Sequence, residues 1–313
     1  MQKPGIIFLV GPTAVGKTQT AVQLAQKINA EIISCDSMQI YKGMDILTSK
    51  SSSSIRKKIK HHLISIVPPI KEYNVARYCQ DALKKIKEII KKGKTPLFVG
   101  GTGLYMSILL DGIFKLKTES KFIRKKLYQE AEIKGSSYLY KRLKRIDPEA
   151  ALKIHPHDTR RIVRALEVFA VTGRPISVLQ KERKGLFAKH KVRIFCLNME
   201  RNKLYSRIER RIDAMFNQGL LAEVKRLLKL NLSQTARPAI GIKELEGYLV
   251  GLYDLDEARR LMKKNTRNYA KRQLTWFRKD KRIEWIKVRD KQTPASVANR
   301  IYKKLTQYPL TIT

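Results

Sequence analysis

The sequence predicts an α/β fold, a parallel sheet carrying a phosphate-binding loop and interrupted by a helical insertion. Three observations carry that expectation. The apolar run Ile6–Val10 reads as a buried parallel strand and leads straight into Gly11-x-x-x-x-Gly16-Lys17-Thr18, after which Ala21, Val22, Leu24 and Ala25 recur at helical spacing. Apolar runs of strand length return at 32–35, 95–99 and 192–197 with helical patterns between them, the alternation that builds a parallel sheet. Between 119 and 188 such runs disappear, and helical segments loaded with Lys and Arg replace them. The expected organisation is a P-loop NTPase-like core over 1–118 and 189–313, with basic C-terminal helices, and a helical insertion domain over 119–188.

The order strand, glycine loop, helix is what gives the loop its meaning. Gly11 and Gly16 let the backbone N–H groups of Gly11, Pro12, Thr13, Ala14, Val15, Gly16, Lys17 and Thr18 (proline excepted) converge on phosphate oxygens, and the following helix adds its positive dipole end. Lys17 carries charge to the outer phosphate, and the Thr18 hydroxyl is placed to hold Mg²⁺. A phosphate-bearing ligand follows; the loop does not say whether it is a nucleotide.

Further along, Asp36 stands where the strand ending at Cys35 stops, on the sheet edge that carries the glycine loop, and ligands of open α/β sheets bind at that edge. Residues 42–74, with a serine run and Lys50, Arg56, Lys57, Lys58 and Lys60, read as an irregular, mobile basic edge. A helix is expected over 75–92 from its apolar face of Val75, Tyr78, Leu83, Ile86, Ile89 and Ile90. The strand ending at Val99 runs into Gly100-Gly101-Thr102-Gly103. A nucleoside triphosphatase would usually place an acid there to order Mg²⁺, so the turn argues against an ATPase.

In the insertion, His155 and His157 read as part of a loop before a capped helix, with no partner set for a metal. On the helix that follows, Arg160 and Arg164 share a face while Ile162, Val163 and Leu166 can turn inward. Beyond the strand at 192–197, Arg207 and Arg211 lie four apart, a spacing that suits a pair reaching one anion. The segment Asn265–Arg278 is a basic helix with interleaved aromatics, suited to phosphate contact and base stacking, although Trp276 and Phe277 fit a core stripe nearly as well. A last short strand is expected over 282–288.

Composition narrows the partner. The chain has 66 Lys and Arg against 27 Asp and Glu, a formal charge of +39, which points to a polyanion such as nucleic acid, with an anionic membrane surface second. Cys35, Cys79 and Cys196 are scattered without metal spacing and fit small apolar packing in a reducing compartment. The N-terminal apolar run is too short for a secretory signal and no stretch is long enough to span a bilayer, so a cytoplasmic protein is expected.

Taken in order, Gly-Pro-Thr-Ala-x-Gly-Lys-Thr from Gly11, Asp-Ser-x-Gln-Ile-Tyr from Asp36, Val-Gly-Gly-Thr-Gly-Leu-Tyr from Val99, Arg-Ala-Leu-Glu from Arg164 and the Thr-Arg-x-Tyr-Ala-Lys-Arg-Gln-x-Thr-Trp-Phe-Arg run from Thr266 resemble the bacterial tRNA dimethylallyltransferase family. The resemblance implies transfer of a dimethylallyl group from dimethylallyl diphosphate to N6 of adenosine 37, beside the anticodon of tRNAs reading codons that begin with U. It implies Asp36 as the base that takes an N6 proton, and the loop with Lys17, Thr18, Mg²⁺ and Arg207 or Arg211 as the diphosphate site. Thr102 would lie near the leaving bridging oxygen, and Ser37, Met38 and Gln39 beside the adenine. Arg124 and the run Arg160, Arg161, Ile162, Val163 and Arg164 would hold the anticodon stem-loop, with Lys271 and Arg272 adding contacts. A monomer is expected. The chain departs from the family pattern at His157, Arg160 and Ile242, where Asn, Gln and Tyr are common.

Two other chemistries use a similar set of parts. A prenyltransferase acting on free adenine nucleotides would need neither the basic insertion nor the basic tail. A kinase using the loop for ATP is disfavoured by the glycine-threonine turn. A non-catalytic RNA-binding protein with a vestigial loop is disfavoured by intact Lys17, Thr18 and Asp36.

Overall fold

The computed structural model describes residues 5–114 and 121–307. They divide into two compact units, residues 5–109 with 189–307, and residues 110–114 with 121–188. The boundary expected at 118/119 lies outside the described residues.

The larger unit is built on six parallel strands: β1 (Ile6–Val10), β2 (Ala30–Cys35), β3 (His61–His62), β4 (Thr95–Gly100), β5 (Val192–Asn198) and β6 (Ile283–Lys287). Their order is β3-β2-β4-β1-β5-β6. The chain leaves β1 through the helix Lys17–Lys27 and passes over the place later taken by β4 to reach β2, then returns to fill the gap. Sheet order and chain order therefore cross beside β1, and the crevice opens at the carboxyl ends of β1, β4 and β2. Every residue of β1 and β2 is buried, as strands covered on both faces of a parallel sheet are. Phe8 stacks on Phe98 across the β1–β4 pair with ring centroids 4.5 Å apart. The three cysteines are free and buried, and burial pushes the Cys35 and Cys196 thiols up to about 12, so they pack as inert small side chains.

The strands and the helix Val75–Lys91 fall where the apolar runs place them, with β3 the addition. Residues 42–74 differ from the expectation of a mobile basic edge. Met44, Leu47, Leu63, Val67 and Tyr73 are buried. Lys50 is not a surface charge: its side chain is 2% exposed, and Nζ donates to Tyr41 O, to Asp45 Oδ1 at 2.8 Å and to Ser65 Oγ at 2.8 Å. Glu223, on the helix Leu220–Leu228, holds the same segment from outside the sheet. It is buried and accepts from the backbone N–H groups of Asp45 and Ile46 at 3.0 Å and of Leu47 at 2.8 Å.

The smaller unit is helical, with helices Lys121–Lys134, Ser136–Ile146, Pro148–Lys153, Thr159–Thr172 and Ile176–Lys181. Its core gathers Leu127, Leu139, Leu143, Ile162, Leu166 and Val168. The buried Asp147 carboxylate caps one helix through Ala150 N–H and reaches Ser177 N–H, both at 2.9 Å. Asp158 caps the helix Thr159–Thr172, so His155 and His157 stand in the loop before a capped helix as expected. Ile162 and Val163, expected to touch RNA, are 0% and 1% exposed. Their side chains belong to this core, which corrects that expectation.

Candidate active site

The glycine loop runs from β1 to the helix Lys17–Lys27 with Ala14 and Gly16 in the left-handed region, at φ 64° and 98°. Gly11 is fixed by space: a Cβ there would sit 2.6 Å from Leu197 O. Lys17 Nζ folds over the loop and donates to Gly11 O at 2.9 Å and Pro12 O at 2.7 Å. Burial pushes its pKa down from 10.5 to about 8, against the opposing pull of Asp36 and with help from Arg211.

Arg211 approaches from the helix Arg201–Asn217, its Nη2 donating to Thr13 Oγ1 at 2.6 Å. Its Nε is buried with no hydrogen-bond partner among the described residues, an N–H donor directed into the site. Arg207, one turn earlier, comes within 3.8 Å of where a Gly16 Cβ would stand. Both arginines therefore face the loop, and Arg211 is the one bonded to it.

Asp36 follows β2. Its Oδ1 accepts from Met38 N–H at 2.9 Å and Gln39 N–H at 3.4 Å, which fixes the carboxylate in an Asx turn and leaves Oδ2 without a partner among the described residues. Thr102 supports that turn: its N–H donates to Cys35 O at 3.1 Å, and its Oγ1 accepts from Ser37 N–H at 3.0 Å. Thr102 thus stands against Ser37 at the end of β4, beside the turn that bears Asp36. The Gln39 amide accepts from Ser34 Oγ at 3.1 Å and donates to Thr48 O at 3.2 Å, which ties the loop wall together, and Gln39 lines the first cavity described below.

Two cavities meet at these residues. One, about 380 Å³, is lined by Lys17, Thr18, Gln19, Ser51 and His61 among others. The second, about 300 Å³, is walled by Met38, Leu47, Ile212, Met215, Met262 and Tyr269, with Ser37 and Arg272 also on its wall. Thr13, Asp36, Thr48, Ser49 and Arg211 line both. The cavity over the glycine loop and the one with methionines on its wall thus share a carboxylate and a guanidinium.

The long helix Leu255–Phe277 closes the arrangement. Gln273, buried, accepts from Thr13 N–H at 2.8 Å and donates to Gly101 O at 2.9 Å, joining the glycine loop to the turn after β4. Phe277 is buried, while Trp276 is half exposed and donates to Ser107 Oγ at 3.3 Å. Lys271 and Arg272 are exposed. The sequence carried a signal for Gln273: Met262, Thr266, Ala270, Gln273 and Phe277 recur at helical spacing, so an amide lies on the buried face.

In the helical unit Arg160 and Arg161 are exposed, Arg161 pairing with Asp158 at 3.0 Å. Arg124 and Arg164 both bond Glu167.

Residues 39–280 match the family model described as IPP transferase, and residues 4–64 match one described as Isopentenyl transferase. The tRNA dimethylallyltransferase of Carboxydothermus hydrogenoformans is 49% identical over 283 residues, covering 90% of this chain and 91% of its own. That of Thermotoga maritima is 45% identical over 282 residues, with 90% and 91% covered. The chain belongs to the IPP transferase family. Among solved structures, the full-length tRNA isopentenylpyrophosphate transferase of Bacillus halodurans is similar with a TM-score of 0.70 at 38% identity, covering 97% of this chain and 98% of that one. A eukaryotic dimethylallyltransferase acting on tRNA gives a TM-score of 0.83 at 30% identity, covering 97% and 79%.

For an IPP transferase the P-loop NTPase-like core is a scaffold for two cavities, and two consequences can be measured. Lys17 binds its proton less tightly folded than unfolded, so between about pH 8 and pH 10.5 the unfolded chain holds more protons and stability rises with pH. The rise is expected to reach about 3 kcal/mol; urea denaturation across that window should show it in the parent chain and not in Lys17→Met. Gln273→Leu leaves Thr13 N–H and Gly101 O unpaired, which is expected to cost about 2 kcal/mol of stability and to weaken binding of inorganic diphosphate in calorimetry. Unchanged diphosphate affinity would mean the loop holds its shape without this clamp.

Proposed function

We propose that this chain transfers the dimethylallyl group of dimethylallyl diphosphate to N6 of adenosine 37 in tRNAs reading codons that begin with U, releasing diphosphate. The observation that carries the reading is the position of Asp36, on the wall of both the cavity over the glycine loop and the neighbouring cavity walled in part by Met38, Met215 and Met262. A two-substrate transfer between a diphosphate ester and a base needs such a shared carboxylate. The relatives named as tRNA dimethylallyltransferases support the substrate pair.

In this reading the loop amides and Lys17 bind the diphosphate. Arg211, with its unpartnered Nε, and Arg207 neutralise the charge that grows as the C1–O bond breaks. The adenine amine is a poor nucleophile because its lone pair is drawn into the ring. Asp36 Oδ2 accepts the N6 proton as the N6–C1 bond forms, while the Met38 and Gln39 amides hold Oδ1 still. Thr102 and Ser37 position that turn. The base leaves its stack to enter the site, an extrusion costing a few kcal/mol and least in a loop. Arg124, Arg160, Arg161 and Arg164 on the helical unit, and Lys271 and Arg272 on the core, supply phosphate contacts to the anticodon stem-loop.

Mg²⁺ fits the donor set. Thr18 offers a hard hydroxyl oxygen on the same wall as Lys17 and Asp36, and among the described residues no group of three or more His, Cys, Asp and Glu forms a protein cage. A cation that binds through one hydroxyl, water and phosphate oxygens suits such a site. When bound there it supplies charge neutralisation for the diphosphate. Among the described residues no helix is long and apolar enough to cross a membrane. The proposed partners are tRNA and dimethylallyl diphosphate, met by a monomer in the cytoplasm.

The test incubates purified protein and Mg²⁺ with unmodified tRNA and either dimethylallyl diphosphate or ATP, followed by digestion and mass analysis of the nucleosides. An adenosine heavier by one isopentenyl group, formed only with the isoprenoid and lost when adenosine 37 is changed, is expected. Product on free adenine nucleotide alone, or ATP consumption alone, would overturn the proposal. Asp36→Ala is expected to lower turnover roughly 10²-fold or more while tRNA affinity stays within a few-fold; normal turnover would remove the base assignment.

A further inference from the structure

Outside the two cavities, the least ordinary charge cluster is in the helical unit. Glu167 lies on the helix Thr159–Thr172 among Ala165, Leu166 and Val168 and is 1% exposed. Its carboxylate accepts from Arg124 Nε at 3.1 Å on Oε1, from Arg124 Nη2 at 3.1 Å on Oε2, and from Arg164 Nη1 at 2.9 Å on Oε2. The arginines are not buried with it: their side chains are 47% and 41% exposed. A carboxylate taken this far from water is costly unless paired, and a well-packed apolar residue would serve the core at least as well. What the acid adds is the arrangement of the two guanidiniums. Left alone they would repel each other and sample many rotamers. Joined to one anchored carboxylate from two different helices, they stand side by side with their remaining N–H groups in solvent.

We infer that Glu167 is a positioning residue that preorganises Arg124 and Arg164 as a paired clamp for consecutive RNA phosphates. The inference rests on the tRNA reading of the helical unit given above. Planar guanidiniums recognise phosphate through fixed N–H forks, so holding both forks in place before binding removes the ordering cost from the binding step. The Arg124–Glu167–Arg164 group keeps a net single positive charge, and Arg160 and Arg161, one turn back on the same helix, extend the run. The clamp acts on RNA affinity and not on the transfer step.

The sign of one substitution separates this role from a structural or a purely electrostatic one. Glu167→Gln keeps the shape of the side chain and raises the net charge by one unit. If only charge mattered, RNA would bind tighter and with a steeper salt dependence. The clamp predicts the reverse: Kd for an anticodon stem-loop about tenfold weaker, a shallower salt slope, KM for tRNA raised in parallel, and kcat at saturating tRNA unchanged. Measurements use the full chain below its melting temperature, with folding checked by near-ultraviolet circular dichroism. Should Glu167→Gln fail to fold, Arg124→Lys carries the test, since it keeps the charge and loses the fork; it is expected to weaken binding several-fold. Equal or tighter RNA binding by the variant that folds, while the parent chain binds and prenylates tRNA, overturns the clamp alone. A parent chain that binds no stem-loop overturns the clamp and the tRNA reading together.

Discussion

The carboxyl edge of the sheet is too crowded for side chains at the points where its loops turn, and the site depends on that crowding. A Cβ at Gly100 would stand 2.0 Å from Cys35 O, and one at Gly101 would stand 2.0 Å from Gln273 Nε2. Because β4 ends this close to β2, Thr102 N–H reaches Cys35 O and Thr102 Oγ1 receives Ser37 N–H, and the turn bearing Asp36 is held from behind. Gln273 then joins the same turn to the glycine loop. The backbone approach comes first and the polar side chains exploit it. Any side chain at Gly100 would push the two strand ends apart and release every one of these bonds.

This hierarchy explains what could be read from sequence and what could not. Each long strand announces itself as an uninterrupted apolar run, since parallel strands are buried on both faces, and the glycine loop is recognisable because strand and helix flank it. Asp36 was legible because it follows a strand on the loop-bearing edge. Glu223 and Glu167 were not, because a polar residue on a helix reads as surface unless its partner is known, and helical spacing put Gln273 on a buried face without naming what it bonds. Those partners are far away in sequence: Gln273 lies 260 residues from Thr13, and Glu223 lies 176 from Leu47. The segment 42–74 was legible only in part: Lys57, Lys58 and Lys60 are exposed as expected, yet Lys50 is bonded to three oxygens and its side chain is buried.

The resemblance supplied roles that geometry has since sharpened or reassigned. Arg207 and Arg211 were indistinguishable by spacing; only Arg211 is bonded to Thr13 and carries a buried N–H without a partner. Thr102 and Gln39 both bond protein groups of the loops around Asp36. Ile162 and Val163 belong to a run whose arginines face solvent, and the helical period sends the two apolar residues inward. A motif read as a contiguous string thus mixes residues that touch a partner with residues that hold them.

Acids are scarce in this chain, and where they go shapes its field. With 27 acidic residues against 66 basic ones, Glu31, Asp147, Glu167, Glu223 and Glu244 are nonetheless buried. They serve as multidentate acceptors: Glu223 for three backbone amides, Asp147 for two, Glu167 for two arginines, and Glu244 for Gly241 N–H and the Asn265 amide. An ionised carboxylate accepts several hydrogen bonds at once, so one acid organises more backbone than an amide or hydroxyl could. The same placement removes negative charge from the surface, where it would offset lysine. The internal scaffolding and the positive exterior therefore have a common origin, and a polyanion approaching the chain meets few acids to repel it.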